Sequence, residues 1–515
     1  MLTMRQTVWI FDDQLTLQNT ALAAADRQSA VIFMMERRTS APHLRWHKIK
    51  LVMIFSAMRH FARELQADGW RVDYHSLGET ESVETALDLH LSRFASSELV
   101  VMEPNSMPER ALLESAGARW KSGSHVFPTC QFVVARADFL KAAAGKKRLL
   151  METHYRATRR ELGILVDDSG EPEGGMWNFD ASNRRTVADW KRDGGQRPLP
   201  RSPYHCDALT REVMADVDRW FPDAFGSSDL FSVPVTREEA LRVLSEFVEQ
   251  RLVRFGDYQD LMLENEPGMF HSWISAPLNL GLLGPLECVE AAVVAYRSGR
   301  APLAAVEGFV RQVIGWREFI NGVYWLKMPA YAAVNALDAT RPLPEFFYSG
   351  RTEMNCLRKV LGEAHDSAYN HHIQRLMILG NFLLLAGVRP QEALAWFTEM
   401  YVDAYDWVMA ANVLGMALHA DGGFMATKPY AGAAAYISKM SNYCGACAFD
   451  PKKKSGVGAC PFNLLYWNFY DRHADRFASN PRTSMMVSAW RKRPASEQKA
   501  IRDDAAKFLQ GLAGK

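Results

Sequence analysis

The sequence predicts a chain in two parts: an N-terminal doubly wound parallel α/β sheet, then a large all-α region. Three observations carry this. Short apolar runs suited to buried parallel strands, Val8–Phe11 and Ala30–Met35, alternate with helical stretches over residues 1–135. A Gly-, Pro-, Arg- and Asp-rich stretch over 165–235 reads as a long linker with function-bearing loops. Beyond residue 236 apolar residues recur at three- and four-residue spacing, the period of a helix face.

The elements follow in order. Leu51, Ile54, Phe55, Met58, Phe61, Ala62 and Leu65 make one apolar helix face after the second strand. Arg71–Tyr74 and Leu99–Met102 read as further strands and Pro108–Ala118 as a further helix, which gives a βαβ pattern and hence a parallel sheet. The first strand runs into Asp12-Asp13-Gln14 rather than G-x-G-x-x-G, so the dinucleotide fingerprint is absent. Thr236 and Glu239 form a capping box ahead of Leu241, Leu244, Phe247 and Val248. Further helices are predicted over Leu303–Tyr324, Ala368–Leu385, Pro390–Tyr405 and Ser496–Leu512. The predicted division is 1–135, a 136–235 linker with helices and loops, and 236–515.

Composition narrows the function classes. Hydrophobic residues at 48% and charged residues at 23% exclude collagen, a disordered tail and a small disulfide scaffold. Lys+Arg 60 against Asp+Glu 59 leaves a net charge of +1, so nucleic-acid binding has to use a local patch. Candidates are Lys146, Lys147, Arg148, Arg156, Arg159 and Arg160, then Arg184, Arg185, Lys191 and Arg192, then Lys452–Lys454; a solvated helix face is the plainer reading of each. No apolar run of about 18 residues is present, which argues against a membrane-spanning helix. The N-terminal MLTMRQTVWIFDDQL lacks a signal-peptide pattern, and a cytoplasmic protein is expected. Seven cysteines, an odd count, fit a reducing compartment without disulfides.

The cysteines carry the strongest local signal. Cys444-Gly-Ala-Cys447 turns two thiols toward one centre, and Cys460 follows after twelve residues. A fourth ligand has to come from Cys130, Cys206, Cys288 or Cys356, and Cys356 follows a turn at Tyr348-Ser349-Gly350. Thiolates suit a structural zinc and an iron–sulfur cluster alike. No histidine lies within 443–462, which favours a cluster over a mixed Cys/His zinc site. Cys130, Cys206 and Cys288 read as buried apolar fillers.

Three more stretches point to a family. Gly315-Trp316-Arg317-Glu318-Phe319 resembles the signature helix of the photolyase/cryptochrome flavoproteins. His371-His372-Ile373-Gln374-Arg375-Leu376-Met377, continuing to Gly380-Asn381-Phe382, resembles their active-site helix. Asp421-Gly422-Gly423-Phe424 with Thr427-Lys428-Pro429-Tyr430 resembles the loop beyond the flavin. With Cys356, Cys444, Cys447 and Cys460, the chain resembles the bacterial iron–sulfur (6-4) photolyases over nearly all of its length.

The resemblance implies an α/β antenna domain, an all-α C-terminal domain holding FAD and a [4Fe–4S] cluster on those four cysteines, and a 6,7-dimethyl-8-ribityllumazine antenna. The implied substrate is ultraviolet-damaged DNA carrying a (6-4) lesion; for the oligomeric state a monomer is the default expectation. By similarity, Tyr258, His271, Ser272, Ile274, Ser275, Asn279, Arg317, Glu318, Asn381, Asp403 and Asn412 surround the FAD, with the pyrophosphate at a helix start near Ser272 and Ser275. Met409 stands where relatives carry a carboxylate near flavin N5. Asp13, Glu36 and Ile54 match the antenna pocket, whereas Ser40 replaces an acidic residue there. Trp396 and Tyr348 resemble stations of an electron relay. His372 is the expected general acid with His371 beside it, because an imidazole titrates near working pH. Leu376 stands where animal-type enzymes carry a second histidine, and Tyr430 is expected to hydrogen-bond the lesion. Asp180 is a candidate for a divalent ion. Competing readings are a cryptochrome-like blue-light photoreceptor on the same fold and a zinc-stabilised nucleic-acid-binding module without flavin.

Overall fold

The computed structural model describes residues 5–37, 44–80, 82–204 and 206–512. Ser40 lies outside the described residues. Five parallel strands form one sheet: β1 Gln6–Trp9, β2 Ala30–Met35, β3 Arg71–His75, β4 Glu98–Met102 and β5 Ser124–Phe127, in the order β3-β2-β1-β4-β5. Val8 of β1 is in register with Ile32 of β2 and Val100 of β4. Strand periodicity sends alternate side chains to opposite faces. Val8, Ile32, Met34 and Val100 enter one core, while Trp9, Phe33, Met35 and Val101 enter a second, smaller one.

The larger core is continuous beyond the sheet. It runs through the helix Lys48–Ala67 into Val243 and Phe247 of Arg237–Gln250 and Val306 and Phe309 of Leu303–Val310. The α/β part is therefore fused to the helical part by shared apolar burial. The predicted capping box is present: Thr236 Oγ1 accepts the Glu239 N–H, and the Glu239 carboxylate accepts the Thr236 N–H.

Three expectations are corrected. The edge strand β5 and the helix Val83–Phe94 are absent from the sequence reading; β5 is mostly exposed and offers no apolar run to read. Within the 165–235 stretch lie the helices Val187–Arg192 and Ala208–Trp220. The latter docks on Lys48–Ala67 through Asp216 to Arg59 at 2.6 Å and Asp218 to Lys48 at 2.5 Å. The helix predicted from Ala368 starts later: Ala368 is left-handed at φ 53° and terminates Asn355–Ser367. An apolar pattern continues through such a break without registering it. The helix predicted to run to Tyr405 ends at Met400, and Tyr401 is extended.

Three helices contain π segments: Arg311–Trp316, Gln374–Gly380 and Ala411–Ala417. Such segments displace the regular hydrogen-bond ladder and gather at functional sites. Two overlap the motifs that suggested a family, and the third follows Met409. The second and third approach closely at Gly380. A Cβ there would lie 2.9 Å from Ala417 Cβ and 3.1 Å from the Arg375 carbonyl oxygen. Gly380→Val should therefore cost about 1–3 kcal/mol, read as a lowered melting temperature; an unchanged melting temperature would refute the close approach.

The start of Lys48–Ala67 is sewn to the helical region. His47 Nε2 lies 2.8 Å from the His365 carbonyl oxygen. Lys50 is fully buried, and its ammonium donates to the carbonyls of Thr398 at 3.1 Å and Ala404 at 2.5 Å, 4.0 Å from the Trp46 ring.

Candidate active site

The helix that restarts at His372 brings two imidazoles to one place. His371 is fully buried, stacks on His271 at 4.5 Å with the rings 17° apart, and has no hydrogen-bond partner at Nδ1 or Nε2. His271 Nε2 is anchored 2.9 Å from the Gln259 carbonyl oxygen. Burial, then His271, His372 and Arg375, push the His371 pKa far down. His372 keeps an exposed edge although protein surrounds it. Burial, then Arg375 and His271, lower its pKa to about 4, and contact with water relieves part of that burial effect.

Arg375 completes this corner. Its guanidinium holds Asp403 in a two-point ion pair at 2.8 and 3.1 Å, donates to the Asn370 carbonyl at 2.7 Å and lies 3.9 Å from the Tyr401 ring centre. Burial alone would raise the Asp403 pKa, but Arg375 outweighs it and holds the carboxylate ionised. Asn279 Nδ2 donates to the Asp403 carbonyl oxygen at 2.9 Å, and the Ser275 side chain bonds its carboxylate. The fold thus gathers His271, Ser275, Asn279, His371, His372 and Asp403. Ile274 is buried beside them in sequence, and Ser272 is half-buried. The helix at Ser275–Leu280 has only six residues, so the expected anion site at its start has little helix behind it.

The remaining expected cofactor residues are committed elsewhere to differing degrees. Asn381 spends its whole amide on Gly432, donating to the carbonyl at 2.8 Å and accepting the N–H at 2.9 Å. It thereby holds the segment just after Tyr430. Asn412 donates to the Val408 carbonyl at 2.9 Å, and Met409 is buried on the same helix. The Tyr258 hydroxyl donates to Asp193 at 2.5 Å. Glu318 accepts the N–H groups of Val133 and Val134 at 2.9 and 3.0 Å, and Arg317 donates to the Gln131 carbonyl at 2.9 Å. These two side chains bind the 131–134 connector to the helical part. Burial raises Glu318 to about 7 and lowers Arg317 to about 10.

At Tyr430, half-buried, cations converge. Burial raises its pKa while Arg184 and Arg482 pull it down, and the same two arginines, after burial, depress Lys428. Arg482 also donates to Thr427 Oγ1 at 3.0 Å. Arg184 belonged to a predicted patch, but Arg482 was missed, because a lone arginine far along the chain gives no local signal. The Asp180 carboxylate is already paired with Arg311 and, at 3.4 Å, with Arg184.

The four cysteines come together. Cys356, Cys444, Cys447 and Cys460 line one small cavity with Phe462 and Tyr443. Burial and then the three neighbouring thiols drive Cys356 well above its ordinary value, and burial lifts Cys460 to about 12. Four thiols and no imidazole match the donor set of an iron–sulfur cluster. Among the described residues no group of three or more donors stands at the spacing of a single bound ion. A multi-atom cluster holds its thiolates further apart than one ion does.

The antenna expectation divides. Glu36 lines a cavity of about 900 Å³ with Arg37, Leu77, Gly78 and Trp220 beside the end of β2. Its carboxylate accepts from Arg59 at 2.7 and 3.1 Å and from the Tyr74 hydroxyl at 2.6 Å. Asp13 instead follows β1, where its carboxylate accepts from Asn105 at 3.0 Å, and Ile54 belongs to the main core. In the relay, Trp396 is fully buried and meets Phe347, Phe397 and Tyr401 at 5.1, 5.2 and 5.9 Å. Tyr348 packs on Phe225 at 5.5 Å, and no ring contact among the described residues joins it to Trp396.

Comparison with known proteins gives a consistent class. The family model for deoxyribodipyrimidine photo-lyase-related proteins matches residues 8–233. A crystal structure of a bacterial class III photolyase from Agrobacterium tumefaciens superposes with a TM-score of 0.54 at 15% identity, covering 97% of this chain and 92% of that one, which establishes a photolyase fold. A protein of Acanthamoeba polyphaga mimivirus, itself uncharacterised, is 35% identical over 114 residues, 22% of this chain and 84% of its own. The (6-4) photolyase of Agrobacterium fabrum is 41% identical over 520 residues, spanning 99% of this chain and 100% of that protein. The chain belongs to the (6-4) photolyase family.

Proposed function

We propose that the protein repairs (6-4) pyrimidine–pyrimidone lesions in DNA under light. The observation that carries this is His372 standing next to the buried His271–His371 stack and close to the Arg375–Asp403 ion pair. The family implies a flavin chromophore, and FAD is the form we assign to His271, Ser272, Ile274, Ser275, Asn279, Asp403, Met409 and Asn412. The orphaned ring nitrogens of His371 and the unpartnered Trp407 Nε1 fit a polar ring system lying among them. Reduced flavin, when bound, supplies the light-driven electron.

The residues of the chain do the rest. Arg184, Lys428 and Arg482 grip phosphates flanking the lesion. A damaged, poorly stacked dinucleotide is flipped out at a cost of a few kcal/mol, which itself favours damage over intact sequence. Tyr430 offers its hydroxyl to the extruded base. His372 holds a proton on its imidazole nitrogen and hands it to the lesion, so that the hydroxyl group can return to the neighbouring base. Unliganded, His372 is neutral at pH 7; phosphates arriving with the DNA add negative charge and draw its pKa upward. A photoreceptor has no use for a proton donor held in this way, which disfavours the sensing alternative.

Cys356, Cys444, Cys447 and Cys460 would hold a [4Fe–4S] cluster in a structural role, and the cavity beside Glu36 would take the ribityllumazine antenna. We place the protein in the cytoplasm as a monomer; no helix among the described residues is long and apolar enough to cross a membrane.

The direct test is a (6-4)-containing oligonucleotide under blue light, with loss of lesion absorbance as the expected result and an unchanged spectrum with reduced flavin as the refuting one. Replacing Arg184, Lys428 or Arg482 with Ala should weaken binding of all DNA sequences alike and lower the salt slope by about 1 per phosphate contact. Fluorescence anisotropy across a salt series measures this, and an unchanged slope removes that residue from the interface.

A further inference from the structure

Two residues of the cysteine lobe reach inward. Asn355, next to Cys356, donates to the Tyr443 carbonyl oxygen at 2.9 Å and to Glu264 at 2.6 Å. Tyr443, next to Cys444, is fully buried, and its hydroxyl accepts from Gln374 Nε2 at 3.0 Å. The same amide nitrogen donates to Glu363 Oε2 at 2.6 Å, while Gln374 Oε1 accepts the backbone N–H of His371 at 3.1 Å. This orientation of the amide is the one its neighbours demand: reversed, it would set an NH2 group against an N–H and a carbonyl against a carboxylate. Gln374 is fully buried at the first position of the π segment Gln374–Gly380.

No hydrogen bond to protein fixes the His371 ring. The ring rests on the stack with His271, and the His371 backbone is held by the N–H groups of Gln374 and Arg375 on its carbonyl oxygen and by the Gln374 amide on its N–H. We propose that Gln374 is a positioning residue which, through Tyr443, ties the four-cysteine lobe to the His371–His372 pair, so that the state of the lobe sets where the imidazoles rest. The link is buried, where an unmet amide proton is costly and a satisfied network is rigid. The inference rests on the reading of His372 as the proton donor.

The test uses holoprotein carrying Tyr443→Phe, which keeps the aromatic ring and every cysteine but removes the acceptor, or Gln374→Met, which removes all three bonds at similar volume. Histidines are labelled with 13C, and the His371 and His372 resonances are assigned with His371→Ala and His372→Ala proteins. Both variants should show displaced His371 and His372 resonances. Repair at saturating lesion should fall about tenfold, with lesion affinity unchanged. Unmoved resonances and an unchanged rate in a variant with full iron content overturn the proposal. Should Tyr443→Phe not fold, Gln374→Met carries the same decision. Loss of iron from Gln374→Met, which touches no cysteine, supports the tie, since coupling acts in both directions. Wild-type protein that repairs nothing, with resonances that still shift in the variants, refutes the proposed activity and leaves the tie standing.

Discussion

Replacing His372 with Ala is expected to abolish turnover of the (6-4) lesion, lowering the repair rate by about a hundredfold to ten-thousandfold, the usual worth of a positioned general acid. Lesion binding should survive, because the cations proposed to grip the phosphates, Arg184, Lys428 and Arg482 near Tyr430, are left in place. The flavin spectrum should also survive, since Asp403 and Asn279 keep their own partners. The check is single-turnover repair under blue light beside anisotropy on the same lesion duplex. Turnover at the wild-type rate would remove the acid assignment. His371→Ala makes the informative companion. Its ring is sealed in, carries no hydrogen bond to protein and is kept neutral by burial and by neighbouring positive or protonatable groups. It is suited to stack on His271 and hold His372 in place rather than to deliver the proton.

The second large effect is expected at the cysteine lobe. Cys460→Ala should give protein that is insoluble or poor in flavin, with most of its iron lost. Cys460 precedes the helix Pro461–Arg472, whose Phe462, Leu465 and Phe469 enter a separate large core of the helical part with Phe382 and Leu383 of the active-site helix. Without a metal to stabilise thiolates, buried thiols whose pKa values burial has pushed up contribute little more than small apolar groups. With one, folding gains the binding free energy of the site, on the order of 10 kcal/mol in small structural metal sites. Soluble yield, iron content and flavin absorbance measure the outcome. A soluble, iron-free, fully active Cys460→Ala protein would refute the structural role.

Much of this was legible in the sequence, for identifiable reasons. β2 is an unbroken apolar run and is buried at every position, and the apolar face read in the helix Lys48–Ala67 is buried throughout. The C-x2-C spacing and Cys460 declared themselves through side-chain chemistry, and the fold brought Cys356 to them. What could not be read depends on backbone geometry or on distant partners. Ala368 is left-handed without being glycine, so nothing marked the helix break before the histidines. Arg317 and Glu318 stand in a recognisable motif, yet their polar atoms serve residues 131–134, more than 180 positions away. Gln374 lies within the recognisable stretch His371–Met377, but its role depends on Tyr443, a residue with no motif of its own.

The stitching of His47 and Lys50 into the helical half has a consequence for any attempt to rebuild the molecule. Thr398 and Ala404 flank the turn that delivers Asp403, and both present their oxygens to one lysine from the α/β half. That half is thus also a strut for the floor of the candidate site. An α/β half borrowed from another protein would have to bring an equivalent buried ammonium group, or the carboxylate that steadies Arg375 would be left on an unsupported bend.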